Sequence, residues 1–183
     1  MSPERRLTLL RILAFVFVVG IVVLIFIFRH QVRELSHLGY LGAFLIALIA
    51  NATIFVPIPG IWIVFAMGAI LNPFLLAVCA GLGAAAGEIS GYLLGFSGQG
   101  LAQRSKLYDR IYVFMDRHHR WSDLLILTMA FIPNPFFDLA GIAAGTLKIP
   151  VQRFYLFCAL GSIFKMLVFA YGGNTILNLW FKP

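Results

Sequence analysis

The sequence predicts an all-α polytopic membrane protein in which an N-terminal transmembrane helix precedes two inverted repeats. The 183-residue chain is 61% hydrophobic and only 11% charged, as is typical of membrane proteins. Residues 74–96 and 154–180 are apolar runs long enough to cross a bilayer. Ahead of each run lies an apolar segment broken by paired prolines. We therefore expect each repeat to be a proline-broken re-entrant hairpin plus a transmembrane helix.

The first predicted element is a transmembrane helix near the N-terminus. Residues 12–28 form an unbroken apolar run with arginines on both sides. Because no small-residue cleavage site follows this run, and it is long for the hydrophobic region of a signal peptide, we predict that it is retained. Residues 1–37 are assigned to this helix and its linker, and residues 38–183 to a membrane domain that contains both repeats.

Paired prolines mark the two predicted hairpins. A proline interrupts a helix, and such a break survives at membrane depth only where protein or water surrounds it. The arms that return from the breaks, residues 61–71 and 136–147, cover only about half of a ~30 Å core, which predicts re-entrant hairpins. Asn51 and Asn134 can satisfy the backbone groups that the breaks release. The prolines are Pro57, Pro59, Pro133 and Pro135.

A shared pattern relates the two halves. An A-x-G element and a later proline follow both breaks, and the two copies are 77 residues apart. This register aligns Glu88 with Lys165 and Gly95 with Gly172. Segments interrupted by proline and glycine at corresponding positions of two halves indicate a transporter-type repeat. The predicted repeats cover residues 38–100 and 124–183.

Small residues on the first long segment predict close helix packing. Glycines recur there every four residues, and we expect them to share one face on which another backbone lies very close. Glu88 sits beside this stripe and should face protein rather than lipid. The glycines expected to pack closely, including one from the second hairpin, are Gly87, Gly91, Gly95 and Gly145.

Residues 101–123 are the one sizeable polar segment between the repeats. Leu107, Ile111 and Phe114 recur at helical spacing, which predicts a short amphipathic helix on the membrane surface. The adjacent His118 and His119 point apart on a helix, so we predict no metal site there.

Charge asymmetry predicts the orientation. If three segments cross, then the N-terminus, the 101–123 segment and the mouth of the second hairpin share one side, with ten Lys and Arg residues against three on the other. Positively charged loops stay in the cytoplasm. We therefore expect a plasma-membrane protein of a prokaryote with its N-terminus and central loop in the cytoplasm. The net charge of +7 then reports topology rather than nucleic-acid binding.

Three ionisable residues in the apolar segments are candidates for function: Glu88, Asp138 and Lys165. An unpaired charge at mid-bilayer costs at least ~2.5–3.5 kcal/mol, so each needs a partner or water. Glu88 and Lys165 could form a structural salt bridge, or Glu88 could take up a proton as the site switches access. Asp138, beside a broken helix, could exchange a coupling proton or contact a lipid headgroup. Lys148 and Arg153 could attract a lipid phosphate or act as positive-inside anchors.

The sequence gives no sign of an enzyme. It contains no G-x-S-x-G, H-E-x-x-H or P-loop motif, and its apolar segments hold no carboxylate cluster that would bind a metal. Cys79 and Cys158 are isolated in apolar runs and are expected to be buried small hydrophobes. We predict no cofactor and no metal. The expected partners are membrane lipids, with protons and a second copy of the chain left open.

The G-E-x-x-G-Y-x-x-G run at residues 87–95, the paired proline hairpins, and an A-A-G ending before Arg153-Phe154 resemble the DedA family. This is the superfamily of VTT-domain, SNARE-associated Golgi proteins, and the resemblance covers roughly residues 38–173. It implies inverted re-entrant hairpins and lipid movement: undecaprenyl phosphate or phosphatidylethanolamine in bacterial members, often with proton coupling, and phospholipid scrambling in eukaryotic ones. Many members carry an acidic residue after the first break and arginines around the second, where this chain has Ile61 and Phe136.

The leading hypothesis is therefore a flippase or scramblase that moves a phospholipid or a polyprenyl phosphate, with proton coupling as an open alternative. An ion-coupled transporter of a small solute is the second hypothesis. The third is a membrane scaffold in which Glu88 and Lys165 only hold helices together. Lipid transport predicts a groove open to the bilayer, solute transport predicts a closed polar cavity, and a scaffold predicts a Glu88–Lys165 pair.

Overall fold

The computed structural model describes residues 38–52, 60–98, 105–134 and 136–181. Within these ranges the chain is helical and contains no strand. The predicted N-terminal transmembrane helix and Pro57, Pro59 and Pro135 lie outside the described residues. The seven helices in the described part are α1 Gly39–Ala52, α2 Gly60–Gly68, α3 Pro73–Phe96, α4 Lys106–Arg117, α5 His119–Phe131, α6 Phe137–Thr146 and α7 Val151–Phe181.

Two helices in the described part are long and apolar enough to cross a membrane, α3 and the stretch Val151–Leu177 of α7. The 24 residues of α3 rise about 36 Å, more than the ~30 Å of a hydrocarbon core. Asn72 fixes where α3 begins, since its side-chain oxygen accepts from the N–H groups of Phe74 (3.0 Å) and Leu75 (3.2 Å). Large apolar side chains point outward from both helices, as lipid contact requires.

The remaining apolar helices are short. α2 has 9 residues and α6 has 10, so each rises only about half of the ~30 Å core. α6 is buried on most sides, which explains how such a short helix persists at this depth. α5 begins at His119, so the polar segment predicted for residues 101–123 ends earlier than expected and its last residues belong to the second hairpin.

The break between α5 and α6 is held by one amide side chain. Asn134 donates from Nδ2 to the carbonyl oxygens of Met129 (2.9 Å) and Ile132 (2.8 Å), and its Oδ1 accepts from the N–H of Phe136 (3.0 Å). These are backbone groups that the helix interruption beside Pro133 leaves without helical partners. Asn134 thus satisfies backbone groups that the break releases, as the sequence predicts.

The amphipathic helix α4 packs on protein rather than lying free on a membrane surface. Its buried face consists of Tyr108, Ile111 and Met115, which pack in the cluster that surrounds α6. The Tyr108 hydroxyl donates to Thr146 Oγ1 at 3.2 Å. Phe114, which the sequence places on the apolar face, is 41% exposed. The buried face is rotated from the predicted one because the aromatic ring and hydroxyl of Tyr108 both find partners on α6.

The short helices pack crosswise on the long ones. α3 packs against α1 of its own half and α6 of the other half, whereas α7 packs against α5 and α2. α3 and α7 also pack on each other. They run antiparallel, since Gly81 meets Ile163 and Tyr92 stacks on Phe154 at 5.3 Å. Each long helix is therefore flanked by two short helices that lie far apart in the sequence.

The glycine stripe of α3 turns from one neighbour to the next. A Cβ at Gly87 would overlap the Leu48 carbonyl of α1, whereas one at Gly95 would overlap the Ile142 carbonyl of α6. Residues four apart drift around a helix with 3.6 residues per turn by about 40° per step. The stripe therefore does not stay on the one face that the sequence predicts, and one run of glycines serves two neighbouring helices.

The close contacts of α3 recur on α7, 78 residues later (Gly161 for Gly83, Gly173 for Gly95). This register differs by one residue from the 77 read from the sequence, so Glu88 corresponds to Met166. The difference arises because α6 continues one residue past its A-x-G element whereas α2 ends on it, and the connections to α3 and α7 both have four residues. Three contacts of the first half have a counterpart in the second, and in each a Cβ added to the glycine would overlap a backbone carbonyl. Written as glycine and carbonyl residue, the counterparts are Gly83–Phe44 and Gly161–Leu127, Gly95–Ile142 and Gly173–Phe65, and Gly68–Ala170 and Gly145–Tyr92.

Two glycines on α3 provide a matched test of this packing. Gly95→Ala should destabilise the fold by about 1–3 kcal/mol, because the new methyl overlaps the Ile142 carbonyl. Gly91→Ala should instead be neutral or stabilise by up to about 1 kcal/mol, because its Cβ lies 3.7 Å from the nearest atom, the Asp138 carbonyl oxygen, and alanine favours a helix. Thermal unfolding in detergent measures both. Equal effects would contradict the described packing.

Candidate functional site in the membrane core

Three charged side chains from three helices meet in the core. Glu88 of α3 and Lys165 of α7 are only 6% and 9% exposed, and Asp138 in the first turn of α6 is half-buried. The Glu88 carboxyl interacts electrostatically with both of the others. Helix α6 can lie this close to α3 because Gly95 of α3 and Gly145 of α6 let the two backbones approach, and a Cβ at either glycine would overlap a carbonyl of the other helix. The structure thus places all three predicted charge candidates together.

These groups are neighbours without an ion pair. The one salt bridge found among the described residues joins Arg153 to Asp123, so Glu88 and Lys165 do not approach within 4.0 Å. The Glu88 and Asp138 carboxyls lie within hydrogen-bond reach of each other, and such a bond requires a proton on one of them. Without that proton, Glu88 Oε2 is buried and has no hydrogen-bond partner. The cluster therefore has unused capacity to bind a proton or a polar group.

The cluster lies deep in the helix bundle. Glu88 is about one turn from the middle of α3, and Lys165 is next to Met166 at the middle of α7. The two helices converge there because Gly81 lets the Ile163 backbone approach α3. Charges at this depth are costly unless a proton, a counter-charge or water accompanies them. The arrangement can exchange protons and can bind a charged or zwitterionic group.

Two polar side chains that the sequence did not single out line the same face of α7. Ser162 and Cys158 are both fully buried, and Cys158 interacts electrostatically with Glu88 and Lys165. Residues 158, 162 and 165 have helical spacing, and this signal in the sequence could have found them. Cys158, interpreted as a small hydrophobe, is thus also a neighbour of the charged cluster. Within the described part of the chain, no group of His, Cys, Asp and Glu could hold a metal ion.

The Asn51 side chain is bonded within its own helix, although its backbone packs on Gly87 beside Glu88. Its Nδ2 donates to the Ala47 carbonyl oxygen at 2.7 Å within α1. A serine on α3 instead connects to the first hairpin: Ser90 Oγ donates to the carbonyl oxygen of Ala52 at 3.2 Å. The end of α1 is therefore bonded to α3 two residues beyond Glu88. A displacement of this end of α1 would shift the part of α3 that lies next to the cluster.

The two headgroup candidates at the mouth of the second hairpin differ in their surroundings. Arg153 donates from Nε (2.9 Å) and Nη2 (2.6 Å) to Asp123 Oδ2, which ties the first turn of α7 to α5. Its charge is therefore balanced. Lys148 follows the end of α6 with a φ of 54°, where the N–H of Ile149 bonds the Ala144 carbonyl at 3.0 Å. It is exposed, and no described residue pairs with it.

Comparison with known proteins gives one match. A family model described as the VTT domain matches residues 58–175, a range that contains α2 through most of α7 and all three charged residues of the cluster. No curated protein and no solved structure matches the chain. The match covers more than half of the sequence. The chain belongs to the VTT domain family, the DedA and SNARE-associated family of membrane proteins.

Proposed function

We propose that this protein moves lipids across the membrane, as a flippase or scramblase of a phospholipid or a polyprenyl phosphate. The observation that carries the proposal is the buried carboxyl group of Glu88, which has no ion-pair partner among the described residues and lies between Asp138 and Lys165. Ionisable groups inside a membrane are costly, and those that persist mark paths for protons or polar substrates. Membership of the VTT domain family supports a transporter-like role.

One feature of the cluster favours a lipid over a small solute. The site is not closed on all sides, because Asp138 is only half-buried at the start of α6. Beside it the break exposes the apolar side chains of Ile132 (54%) and Phe136 (51%). A polar group reaching Asp138 would therefore leave its apolar part among side chains that face the bilayer. That arrangement suits a lipid, whose headgroup and chains separate in this way.

The proposal includes two inverted repeats. Equivalent contacts recur on α3 and α7, and each long helix packs on a short arm from the other half. A pseudo-two-fold axis in the membrane plane would produce such crosswise packing, and in transporters with this symmetry the substrate site lies at the repeat interface. The cluster sits at that interface, where a rocking of one half against the other would change which side has access to Glu88.

Orientation follows from charge. The end of α3 and helix α4 share one side of the bundle, because the Thr146 hydroxyl accepts from Tyr108 and lies 3.4 Å from the Gly95 carbonyl oxygen, with Ile142 at 2.9 Å as its nearer acceptor. The start of α7 lies on the same side, since the Tyr92 hydroxyl donates to the Ile149 carbonyl at 2.6 Å. That side carries the basic residues of α4. The opposite side, where Tyr40 accepts from the N–H of Asn72 at 3.3 Å, has no Lys or Arg among its described residues near α1 and the start of α3. We propose that the basic side is cytoplasmic.

A scaffold is the competing function, and removal of single charges separates the two. If Glu88 and Lys165 only held helices together, Glu88→Gln and Lys165→Met would each cost about 3–5 kcal/mol, and the double variant would cost less than their sum. Because the two groups are not in direct contact, we expect Glu88→Gln to change stability by less than about 1 kcal/mol. Thermal unfolding in detergent measures each variant.

Lipid movement itself is the second test. In proteoliposomes the parent should speed the exchange of fluorescent phospholipids or a polyprenyl phosphate between leaflets, and Glu88→Gln and Asp138→Asn should each reduce the rate on the order of tenfold or more. Both variants keep the shape of the side chain and remove the carboxylate. If coupling is to protons, the parent rate should depend on pH and Glu88→Gln should abolish that dependence.

Asp116→Asn is the matched control, because it makes the same chemical change on the exposed face of α4. It should keep the parent rate. A lack of movement of every lipid by the folded parent would reject lipid transport, and uptake of a small solute instead would support the second hypothesis. A loss in Asp116→Asn equal to that in Asp138→Asn would show that the core cluster is not the site.

A further inference from the structure

Helix α4 carries an exposed face that the transport proposal does not use. Arg110, Val113, Phe114 and Arg117 are spaced at i, i+3, i+4 and i+7, and all are exposed. With Asp109 and His118 they line a shallow cavity of about 440 Å³ on the outside of the bundle. The face lies opposite the buried side chains of Tyr108, Ile111 and Met115. No residue in the described ranges therefore covers it.

The two arginines of this face have no partner. Neither Arg110 nor Arg117 forms a salt bridge or a hydrogen bond with any residue in the ranges that the structure describes. A free guanidinium is suited to phosphate, which it can bind through two parallel N–H groups. Asp109 is the one carboxylate that lines the cavity, so the lining keeps a net positive charge. Its charge is complementary to an anionic group.

The floor between the arginines is apolar. Val113 is 43% exposed and Phe114 is 41% exposed, and His118 stacks on Phe114 with ring centroids 5.0 Å apart. A soluble anion would leave these surfaces in water. An anionic lipid would cover them, because its phosphate can meet the arginines while its glycerol and upper chains lie against Phe114 and Val113. Trp121, 58% exposed three residues after His118, suits the same interfacial layer.

The position of α4 in the fold also favours an anionic lipid. Tyr108 is linked through Thr146 to Gly95, at the end of the membrane-spanning helix α3. Because α3 is slightly longer than the hydrocarbon core, its end marks the headgroup layer. The exposed face of α4 therefore lies at the depth of lipid phosphates. This argument rests on α3 crossing the membrane and not on what the core cluster transports.

We propose that this face of α4, Arg110, Val113, Phe114 and Arg117, is a binding site for the headgroup of an anionic phospholipid. It is separate from the charged cluster, yet it is connected to that cluster, because the opposite face of α4 packs on α6, which carries Asp138. A bound lipid would hold α4 at the membrane surface and would thereby limit the motion of α6, on which α4 packs. Lipid composition would then affect the arm on which the transport site is built.

The test measures lipid association with the full-length protein in nanodiscs. Spin-labelled phosphatidylglycerol and phosphatidylcholine report, by electron paramagnetic resonance, the selectivity for the anionic lipid over the neutral one. The double variant Arg110→Gln/Arg117→Gln should lower this selectivity on the order of tenfold, since each basic residue near an anionic surface contributes ~1 kcal/mol. Phe114→Ser should lower it as well, because the floor is part of the site.

Lys106→Gln/Arg120→Gln is the matched control. It removes the same charge from exposed positions on α4 and α5 that do not line the cavity, and it should keep most of the selectivity. An equal loss in the control pair would overturn the proposal in favour of diffuse surface charge. Displacement of the lipid by millimolar inorganic phosphate would overturn it in favour of a soluble anion, and a change of oligomeric state in Phe114→Ser would overturn it in favour of a second copy. All variants must unfold at the parent temperature.

Discussion

The close approach of backbones to helix α3 is the constraint on which the rest of the structure depends. Its glycines bring α1 and α6 within van der Waals reach, and Gly81 brings α7 equally near. A helix surrounded on three sides turns most residues of its central turns toward protein. Glu88 lies among these residues, so its carboxylate is forced into the core. The position of the charged cluster is therefore a consequence of small residues rather than of an ion pair.

Small residues and short helices also account for the broken segments. A helix of 10 residues cannot cross a bilayer, and it is stable at membrane depth only if protein covers its ends. Helix α6 meets this requirement by packing on α3 and α4, and Asn134 accepts from the N–H of Phe136 at its start while it donates to two carbonyls at the end of α5. The first turn of α6 then presents Asp138 to Glu88. The break in the helix and the carboxylate beside it are thus parts of one arrangement.

Much of this could be predicted from the sequence, for identifiable reasons. Apolar length predicts α3 and α7, paired prolines predict a break at Pro133, and the rarity of charge singles out Glu88, Asp138 and Lys165. The rest depends on tertiary geometry. The drift of the glycine stripe follows from its four-residue spacing on a helix of 3.6 residues per turn, but which helix each glycine meets depends on how the helices cross. The one-residue shift of the repeat register arises because α6 continues one residue past its A-x-G element. The rotated face of α4 carries the hydrogen bond between Tyr108 and Thr146. Helical spacing could have predicted that Ser162 and Cys158 lie on the same face of α7 as Lys165.

The central claim is that Glu88 is a carboxyl group without an ion-pair partner that can exchange a proton inside the bundle. Infrared difference spectroscopy of the full-length protein in nanodiscs tests it most directly, with Glu88→Gln used to assign the carbonyl band of the Glu88 carboxyl. The account predicts that this band appears on acidification and disappears on return to high pH, reversibly and with the helices intact. A carboxylate band for Glu88 that stays unchanged over the whole pH range in which the protein is folded would contradict the account, because it would mean that Glu88 is a permanently charged structural partner of Lys165.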